Sequence, residues 1–179
     1  RVAAGELPGE RKGVVFQDTD LYKWLEAAAY AIPYGNRAYL TEKSREAVEI
    51  IAAAQETDGY LDTLYSINGL QNRFTNLKDF HELYCFGHLT EGAVAYYQAT
   101  GKDRLLKAAE RFADFIASKL GHGEGKKAGY PGHEIAEMAL MRLYDLTGEQ
   151  KYLDLAKYFI DERGTKPYYY DIERGLTCP

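Results

Sequence analysis

Features that would place this 179-residue chain in a special class of protein are scarce or missing. Only two cysteines occur, Cys85 and Cys178, and they lie far apart, so a disulfide framework is excluded. No apolar run approaches the roughly 18 residues that a membrane-spanning helix needs. The 27 acidic residues outnumber the 22 basic ones, and the net charge of −5 argues against non-specific binding to nucleic acid. The sequence therefore predicts neither a nucleic-acid partner nor a membrane partner.

The two chain ends also lack expected features. The chain begins Arg1-Val2-Ala3, with no initiator methionine and no signal-peptide pattern. The last stretch, 171–179, shows no helix pattern and no cap. We therefore expect the sequence to be the N-terminal piece of a longer protein, and its localisation stays open.

What the chain does contain is ordinary for a globular protein, apart from its tyrosines. Hydrophobic residues make up 46% and charged residues 27%, and the length suits one domain over residues 1–179. Sixteen of the aromatic residues are tyrosines, whose flat apolar face and polar tip suit sugars and other polyols. Tyrosine is equally at home in helix cores and at helix ends, so composition leaves both interpretations open.

Helical periodicity dominates the chain. One apolar stripe repeats at helical spacing, at Leu105, Leu106, Ala109, Phe112, Ala113 and Ile116. A second stripe, 47 residues later, comprises Tyr152, Leu153, Ala156, Phe159 and Ile160. Each stripe follows a Thr-Gly pair, at 100–101 and 147–148, and glycine just past a helix end supplies the left-handed position there. Helices are therefore predicted over about 80–99 and 133–146 as well, the first with Asp79 and Glu82 as a capping box.

The N-terminal part adds one more pair of predicted helices, over about 19–32 and 41–55. The chain thus holds about six helices in three antiparallel hairpins. Repeats of this size indicate an all-α solenoid or toroid of stacked hairpins.

Two long connections interrupt the hairpins, at 57–79 and 121–132. Loops of this length are often functional. Each is followed by a helix that opens with His-Glu, at His81-Glu82 and His133-Glu134. The sequence therefore predicts a site at the end of the hairpin stack where these loops lie.

Several side chains near these loops have a functional and a structural interpretation. His81, Cys85 and His88 share one helix face and could bind a metal, or could be satisfied core residues with an inert buried thiol. Glu137, one turn after His133, could orient that imidazole or hold a sugar hydroxyl, or simply form a helix-start pair.

The acidic residues are equally ambiguous. Asp18 and Asp20 could do acid–base work, but at a helix start cap and dipole roles are favoured. Asp58 precedes a glycine and is first a turn residue, while Asp62 could meet a polar ligand. Lys126-Lys127 lacks the order of a phosphate-binding loop.

Six strings in the chain are long and distinctive. They are Val2–Leu7, Val15–Glu26, Ala54–Thr63, His81–Tyr84 with Gly87-His88, Gly132–Glu134, and Tyr158–Gly164. Together, over about residues 1–170, they resemble the β-L-arabinofuranosidase family of glycoside hydrolases, family 127.

The resemblance implies a fold and an activity. The family's catalytic domain is an (α/α)6 toroid, of which this chain would form about half. Its members are retaining enzymes that remove β-linked L-arabinofuranose from plant glycans, with a zinc-bound cysteine as nucleophile and a glutamate as acid/base.

The resemblance also implies sugar-contacting residues. His81 and His133 match two family histidines that contact the sugar, and their separation of 52 residues agrees with the family pattern. Asp20, Tyr22, Asp58 and Tyr60 are further pocket candidates from their motif setting. The implied partner is an arabinofuranose-containing glycan.

Other family features have no match in the chain. The zinc ligands, the Cys-Cys-Pro nucleophile motif and the acid/base glutamate lie further downstream in the family, and Cys178 comes too early to be that nucleophile. We therefore expect zinc only in the full-length protein, and we expect this chain alone to be inactive.

Half a toroid would expose faces meant for neighbouring hairpins, so we expect the chain to be poorly stable or to associate through them. Two other functions remain open: an (α/α)6 enzyme acting on uronides, and a non-catalytic helical-repeat module that binds carbohydrate or protein.

Overall fold

The structure, a computed structural model, describes residues 1–35 and 37–175, and all regular secondary structure in these ranges is helical. Cys178 lies outside the described residues. The α-helices are α1 (Asp18–Ala31), α2 (Ala38–Ala53), α3 (Thr63–Asn68), α4 (Glu82–Thr100), α5 (Arg104–Lys119), α6 (Ile135–Thr147), α7 (Gln150–Arg163) and α8 (Tyr169–Glu173). A short 3-10 helix covers Leu70–Asn72. None of these helices is both long and apolar enough to cross a lipid bilayer.

The helices form two rows, and α4 is the centre of the inner one. It packs against α1 on one side and α6 on the other, with α5 behind it. A helix with so many neighbours must be apolar on most faces, and α4 is buried along most of its length. The outer row is α2, α5 and α7, and each packs against the inner helix that precedes it in the chain. The three predicted hairpins are therefore confirmed.

The predicted apolar stripe of α5 is confirmed, whereas that of α7 is wrong at one end. All six predicted α5 residues are buried. In α7, Tyr152, Ala156 and Phe159 are buried, but Ile160 is 59% exposed and Leu153 is only half-buried. Ile160 lies beside Met138 of α6 in a shallow apolar depression that no described helix covers. Helical spacing identifies an apolar position but not the partner that will cover it.

Two predicted helix caps are wrong. Helix α4 begins after His81 rather than Asp79, and no side chain caps it, because the Glu82 carboxylate turns into the core instead. Helix α1 is preceded by Gln17, and Asp18 lies inside its first turn. The Asp18 carboxylate accepts hydrogen bonds from the backbone N–H and the hydroxyl of Thr63, at 2.8 and 2.6 Å. In both cases a distant partner replaces the expected local cap.

Two stretches expected to lack helices contain short ones. The 57–79 connection holds α3 and the 3-10 helix. The Asp62 carboxylate starts α3 by accepting a 2.8 Å hydrogen bond from the backbone N–H of Leu64, as an N-cap does. Helix α8 lies near the end of the chain and includes Asp171–Glu173. These helices are too short to show a full apolar period, which is why the sequence pattern missed them.

Candidate functional site

His81 occupies a backbone conformation that is unusual for a residue with a side chain. Its φ is +61°, in the left-handed region, directly before the first residue of α4. The ring Nδ1 lies 2.7 Å from the backbone oxygen of Asp79. A carbonyl oxygen only accepts, so Nδ1 carries a proton and a neutral His81 ring presents Nε2 as an acceptor. The loop thus fixes both the direction and the tautomer of this imidazole.

His133 meets His81 at this position. The two Nε2 atoms are 3.2 Å apart, so a neutral His133 donates this hydrogen bond. Gly132 makes the approach possible, since a Cβ there would lie only 2.4 Å from the backbone oxygen of Lys78. On the other side, the Pro131 oxygen accepts hydrogen bonds from Arg163 and from the Tyr170 hydroxyl, at 2.9 and 2.6 Å. The two long loops therefore meet where they deliver their histidines.

Aromatic rings surround the histidine pair. The Tyr84 ring centroid lies 5.5 Å from that of His81 and 5.1 Å from that of His133. The ring of Phe16 lies 5.2 Å from that of His81 and 6.3 Å from that of Tyr84, and it is partly exposed. Imidazole nitrogens can hydrogen-bond to the hydroxyls of a sugar. The apolar ring faces beside them can pack against its C–H face.

Lys23 and His88 complete this cluster. The Lys23 ammonium donates a 2.9 Å hydrogen bond to the Tyr84 hydroxyl. The His88 ring lies 4.6 Å from the Tyr84 ring. Burial, and then the charge of Lys23, lower the pKa of His88 to about 4, so this ring is neutral at neutral pH. The positive charge at this edge of the site therefore belongs to Lys23.

Beneath the histidines lies a buried carboxyl, that of Glu82. It accepts hydrogen bonds from the Tyr60 hydroxyl at 2.6 Å and from the backbone N–H of Phe74 at 2.8 Å. Both donors belong to the long loop that ends at His81. Burial raises the pKa of Glu82 to about 8, and the two hydrogen bonds only partly oppose it. Glu82 thus ties the loop to the helix at the residue next to His81.

The structure places the remaining predicted residues apart from the histidine pair. Tyr60 is fully buried, with its hydroxyl committed to Glu82. Tyr22 is 3% exposed, and burial, followed by Asp18, raises its pKa well above the usual value. Their contacts are those of core residues.

The two predicted aspartates are more exposed. Asp20 accepts a hydrogen bond from the Gln17 side chain. Asp58 closes its turn by accepting from the backbone N–H of Tyr60 and pairs with Arg73 at 2.7 Å. None of these contacts reaches His81 or His133, so their role in binding stays a prediction.

Glu137 and Cys85, which the sequence had suggested as neighbours of the two histidines, make other contacts. Glu137 is buried and pairs with Arg163 at 3.0 Å rather than with His133. Cys85 is fully buried, and its pKa is raised by burial and then by Asp62. It lies in the core and does not share the exposed face of His81. Within residues 1–35 and 37–175, no three His, Cys, Asp or Glu side chains lie together as metal ligands would.

Sequence reasoning missed Phe16, Lys23, Tyr84 and the buried role of Glu82. Tyr84 could have been found from the sequence, because it lies only three positions after His81 in the first turn of the predicted helix. Phe16 and Lys23 come from the α1 region and join the site only through the packing of α1 against α4. No local pattern predicts that contact.

The chain resembles known proteins over nearly its whole length. A sequence model described as "Beta-L-arabinofuranosidase, GH127 catalytic domain" matches residues 2–176. The chain belongs to this family. A non-reducing end β-L-arabinofuranosidase from Bifidobacterium longum is 47% identical over 174 residues, which cover 95% of this chain.

Solved structures of GH127 enzymes are also similar to this chain. A GH127 β-L-arabinofuranosidase from Geobacillus stearothermophilus T6 is 49% identical, covers the whole chain and superimposes with a TM-score of 0.94. A second GH127 β-arabinofuranosidase is 41% identical over 92% of the chain, with a TM-score of 0.84. The GH127 enzymes are (α/α)6 toroids, and the helical hairpins described above are part of that fold.

The match covers only part of each GH127 relative. The chain spans 26% of the Bifidobacterium enzyme and 29% of the Geobacillus structure. The described residues do not fit the zinc site that the family resemblance implies, since they offer no group of three suitable ligands.

Proposed function

We propose that this chain forms the sugar-binding part of a retaining glycoside hydrolase that releases β-linked L-arabinofuranose from plant glycans. The observation that carries the proposal is the His81–His133 pair, 3.2 Å apart, at the end where the two long loops meet. Membership of the GH127 family supports the choice of sugar.

The pair is suited to hold furanose hydroxyls. A hydroxyl can donate to the Nε2 of His81 and accept from that of His133, so it can replace their direct hydrogen bond once the two rings move apart. His81 is fixed by Asp79 and His133 by the loop contacts of Pro131 and Gly132. Phe16 and Tyr84 offer ring faces to the apolar side of the sugar.

The reacting groups are proposed to lie elsewhere in a longer polypeptide. The family resemblance assigns the nucleophile to a cysteine and the acid/base role to a glutamate beyond this chain. Zinc, when bound, would hold that cysteine as a thiolate near neutral pH. The 179 residues would then bind and orient the sugar without breaking the glycosidic bond.

Kinetics of the full-length polypeptide test the proposal. With a chromogenic β-L-arabinofuranoside, His81→Ala and His133→Ala should each lower kcat/KM at least about tenfold, because each removes a hydroxyl partner. His122→Ala is the matched control, since that exposed histidine contacts Tyr158 and Glu162. Hydrolysis of a β-D-glucuronide in preference to the arabinofuranoside would overturn the proposal in favour of a uronide enzyme. Unchanged kcat/KM in both variants would show that the two histidines do not bind the substrate.

A partner for the exposed helix faces follows from the same proposal. Met138 and Ile160 are 58% and 59% exposed on the α6–α7 face, and Trp24 is 40% exposed on α1. We infer that further hairpins of the toroid cover these faces. The isolated chain should therefore associate, and Met138→Glu with Ile160→Glu should lower its mass in light scattering. A monomeric wild-type chain that unfolds cooperatively would contradict this inference.

A further inference from the structure

A groove rich in positive charge lies at the same end of the hairpins as the histidine pair. We call it the basic groove, and its main lining residues are Arg73, Phe74, Phe115, Lys119, Lys126 and Lys127. They come from the 57–81 loop, the end of α5 and the loop that follows it. Its volume is about 430 Å³, within the range of small-molecule sites.

Two of the four cations are fixed in place. The Arg73 guanidinium donates to the Leu70 oxygen at 2.9 Å, pairs with Asp58 at 2.7 Å and lies 4.9 Å from the Phe115 ring. The Lys127 ammonium donates a 2.5 Å hydrogen bond to the Phe74 oxygen. These groups are pre-organised before any ligand arrives, which lowers the entropic cost of binding.

The other two cations form no ion pair within the described residues, although Lys119 acts on Asp58. Burial raises the pKa of that carboxyl, whereas Arg73 and, to a smaller extent, the charge of Lys119 lower it. The Lys119 ammonium lies 5.5 Å from the centre of the Phe115 ring, and Lys126 also lines the groove. The backbone N–H of Lys127 donates to the Lys119 oxygen at 2.8 Å, which holds the loop lysines beside the end of α5. Four cations thus line the groove in a chain whose net charge is −5, and among the described residues Asp58 is the carboxylate that forms an ion pair with one of them. Such a convergence favours an anionic ligand.

The groove connects to the histidine site through Phe74. Its backbone oxygen accepts from Lys127, and its backbone N–H donates to Glu82, the residue after His81. One short stretch of loop therefore borders both places. A glycan that reaches the histidines can extend along the same end of the hairpins.

We propose that the basic groove binds a carboxylated sugar, a hexuronic acid unit, as a binding site separate from the histidine pair. The carboxylate would bind Lys119 and Lys126, with Arg73 and Lys127 adding to the positive field. The aromatic floor and the groove volume suit a sugar rather than a bare inorganic anion. This proposal rests on the proposed function in one respect, the choice of a sugar rather than another kind of anion as the ligand.

Calorimetry with the full-length polypeptide tests the groove directly. The probe is a dimer of galacturonic acid, and its neutral methyl ester is the matched ligand. The acid should bind, the ester should bind at least about tenfold more weakly, and binding should weaken as salt rises to about 0.15 M, where the Debye length is about 8 Å. Lys119→Ala with Lys126→Ala should lower the affinity roughly tenfold. Lys12→Ala with Lys102→Ala removes the same charge from exposed positions elsewhere and should not.

Several results would overturn the proposal. One is equal affinity for the acid and its ester, and another is equal loss of affinity in both double variants. Full competition by inorganic phosphate would show that the groove recognises charge without a sugar. Binding by the 179-residue chain but not by the full-length polypeptide would show that other parts of the protein cover the groove. The assay needs no hydrolysis, so its failure is distinct from failure of the proposed arabinofuranosidase activity.

Discussion

The two ends of the helical hairpins are built in different ways. At one end, Gly101 and Gly148 each donate a 2.7 Å hydrogen bond to an oxygen four residues earlier, and Thr100 and Thr147 do the same through their hydroxyls. We call this the turn end. Every one of these bonds is local, and the two turns repeat each other.

The opposite end, which carries the histidine pair, is closed by distant partners. We call it the loop end. The backbone N–H of Leu77 donates to Glu173 at 2.8 Å, across 96 residues, and the Pro131 oxygen accepts from Arg163 and Tyr170. Inside the core, the buried carboxyl of Glu82 likewise accepts hydrogen bonds from Tyr60 and Phe74 of the long loop. The comparison shows that the candidate site depends on long-range contacts, whereas the opposite turns need none.

The largest expected effect is at Glu82. Glu82→Ala leaves the Tyr60 hydroxyl and the Phe74 N–H without partners in the core. Each unpaired buried group costs about 1–3 kcal/mol, so the free energy of unfolding should fall by roughly 3 kcal/mol. Urea unfolding followed by circular dichroism measures this. The control is Glu124→Ala, at an exposed residue, and a loss at Glu82 no larger than the control's would show that the loop end is not held by this carboxyl.

The same carboxyl makes stability depend on pH. Its pKa is raised from 4.5 to about 8 by burial, so the folded state holds the proton more tightly than the unfolded state. The stability that the folded state gains from holding this proton is therefore fully present below pH 4.5, and it is lost as the pH rises through about 8. Thermal unfolding between these values should show stability falling with rising pH.

Glu82→Gln should make that dependence shallower, because an amide does not titrate. A remaining slope is expected from Asp62, whose pKa is raised to about 7 by burial and then by Asp18. Identical slopes in the variant and the wild type would assign the whole dependence to other groups.

Gly132→Ala should have the next largest effect. The added Cβ would lie 2.4 Å from the Lys78 oxygen, so the two loops must separate. Overpacking of this kind costs roughly 1–3 kcal/mol. The contact between the His81 and His133 rings should be lost as well, and nuclear Overhauser effects between the rings measure it. Gly164→Ala is the control, since a Cβ there meets nothing closer than 3.6 Å, and a retained ring contact in Gly132→Ala would refute the role of this glycine.

The smallest effect is expected at the turn end. Gly101 and Gly148 have φ values of +69° and +73°, with open space where a Cβ would lie. Replacement by alanine then costs only the left-handed strain, about 1 kcal/mol at each position. The two losses in unfolding free energy should be equal, because the two turns have the same geometry. A clear inequality would show that tertiary contacts enter the turns, and the contrast between the two ends would fail.

The amino-acid pattern was enough to predict the six long helices, their order and the turn end. Apolar periodicity and the Thr-Gly pairs act over three or four residues, so local chemistry is enough to specify them. It also indicated the end of the molecule where His81 and His133 would lie, since each follows a long loop.

The construction of the candidate site, by contrast, follows from contacts between distant segments. The left-handed backbone at His81, the turn of Glu82 into the core and the arrival of Phe16 and Lys23 each depend on partners far away in sequence. The same is true of the exposure of Ile160, which depends on what packs against α7. A burial or a hydrogen bond between distant segments has no local pattern, because its free energy exists only once those segments have come together.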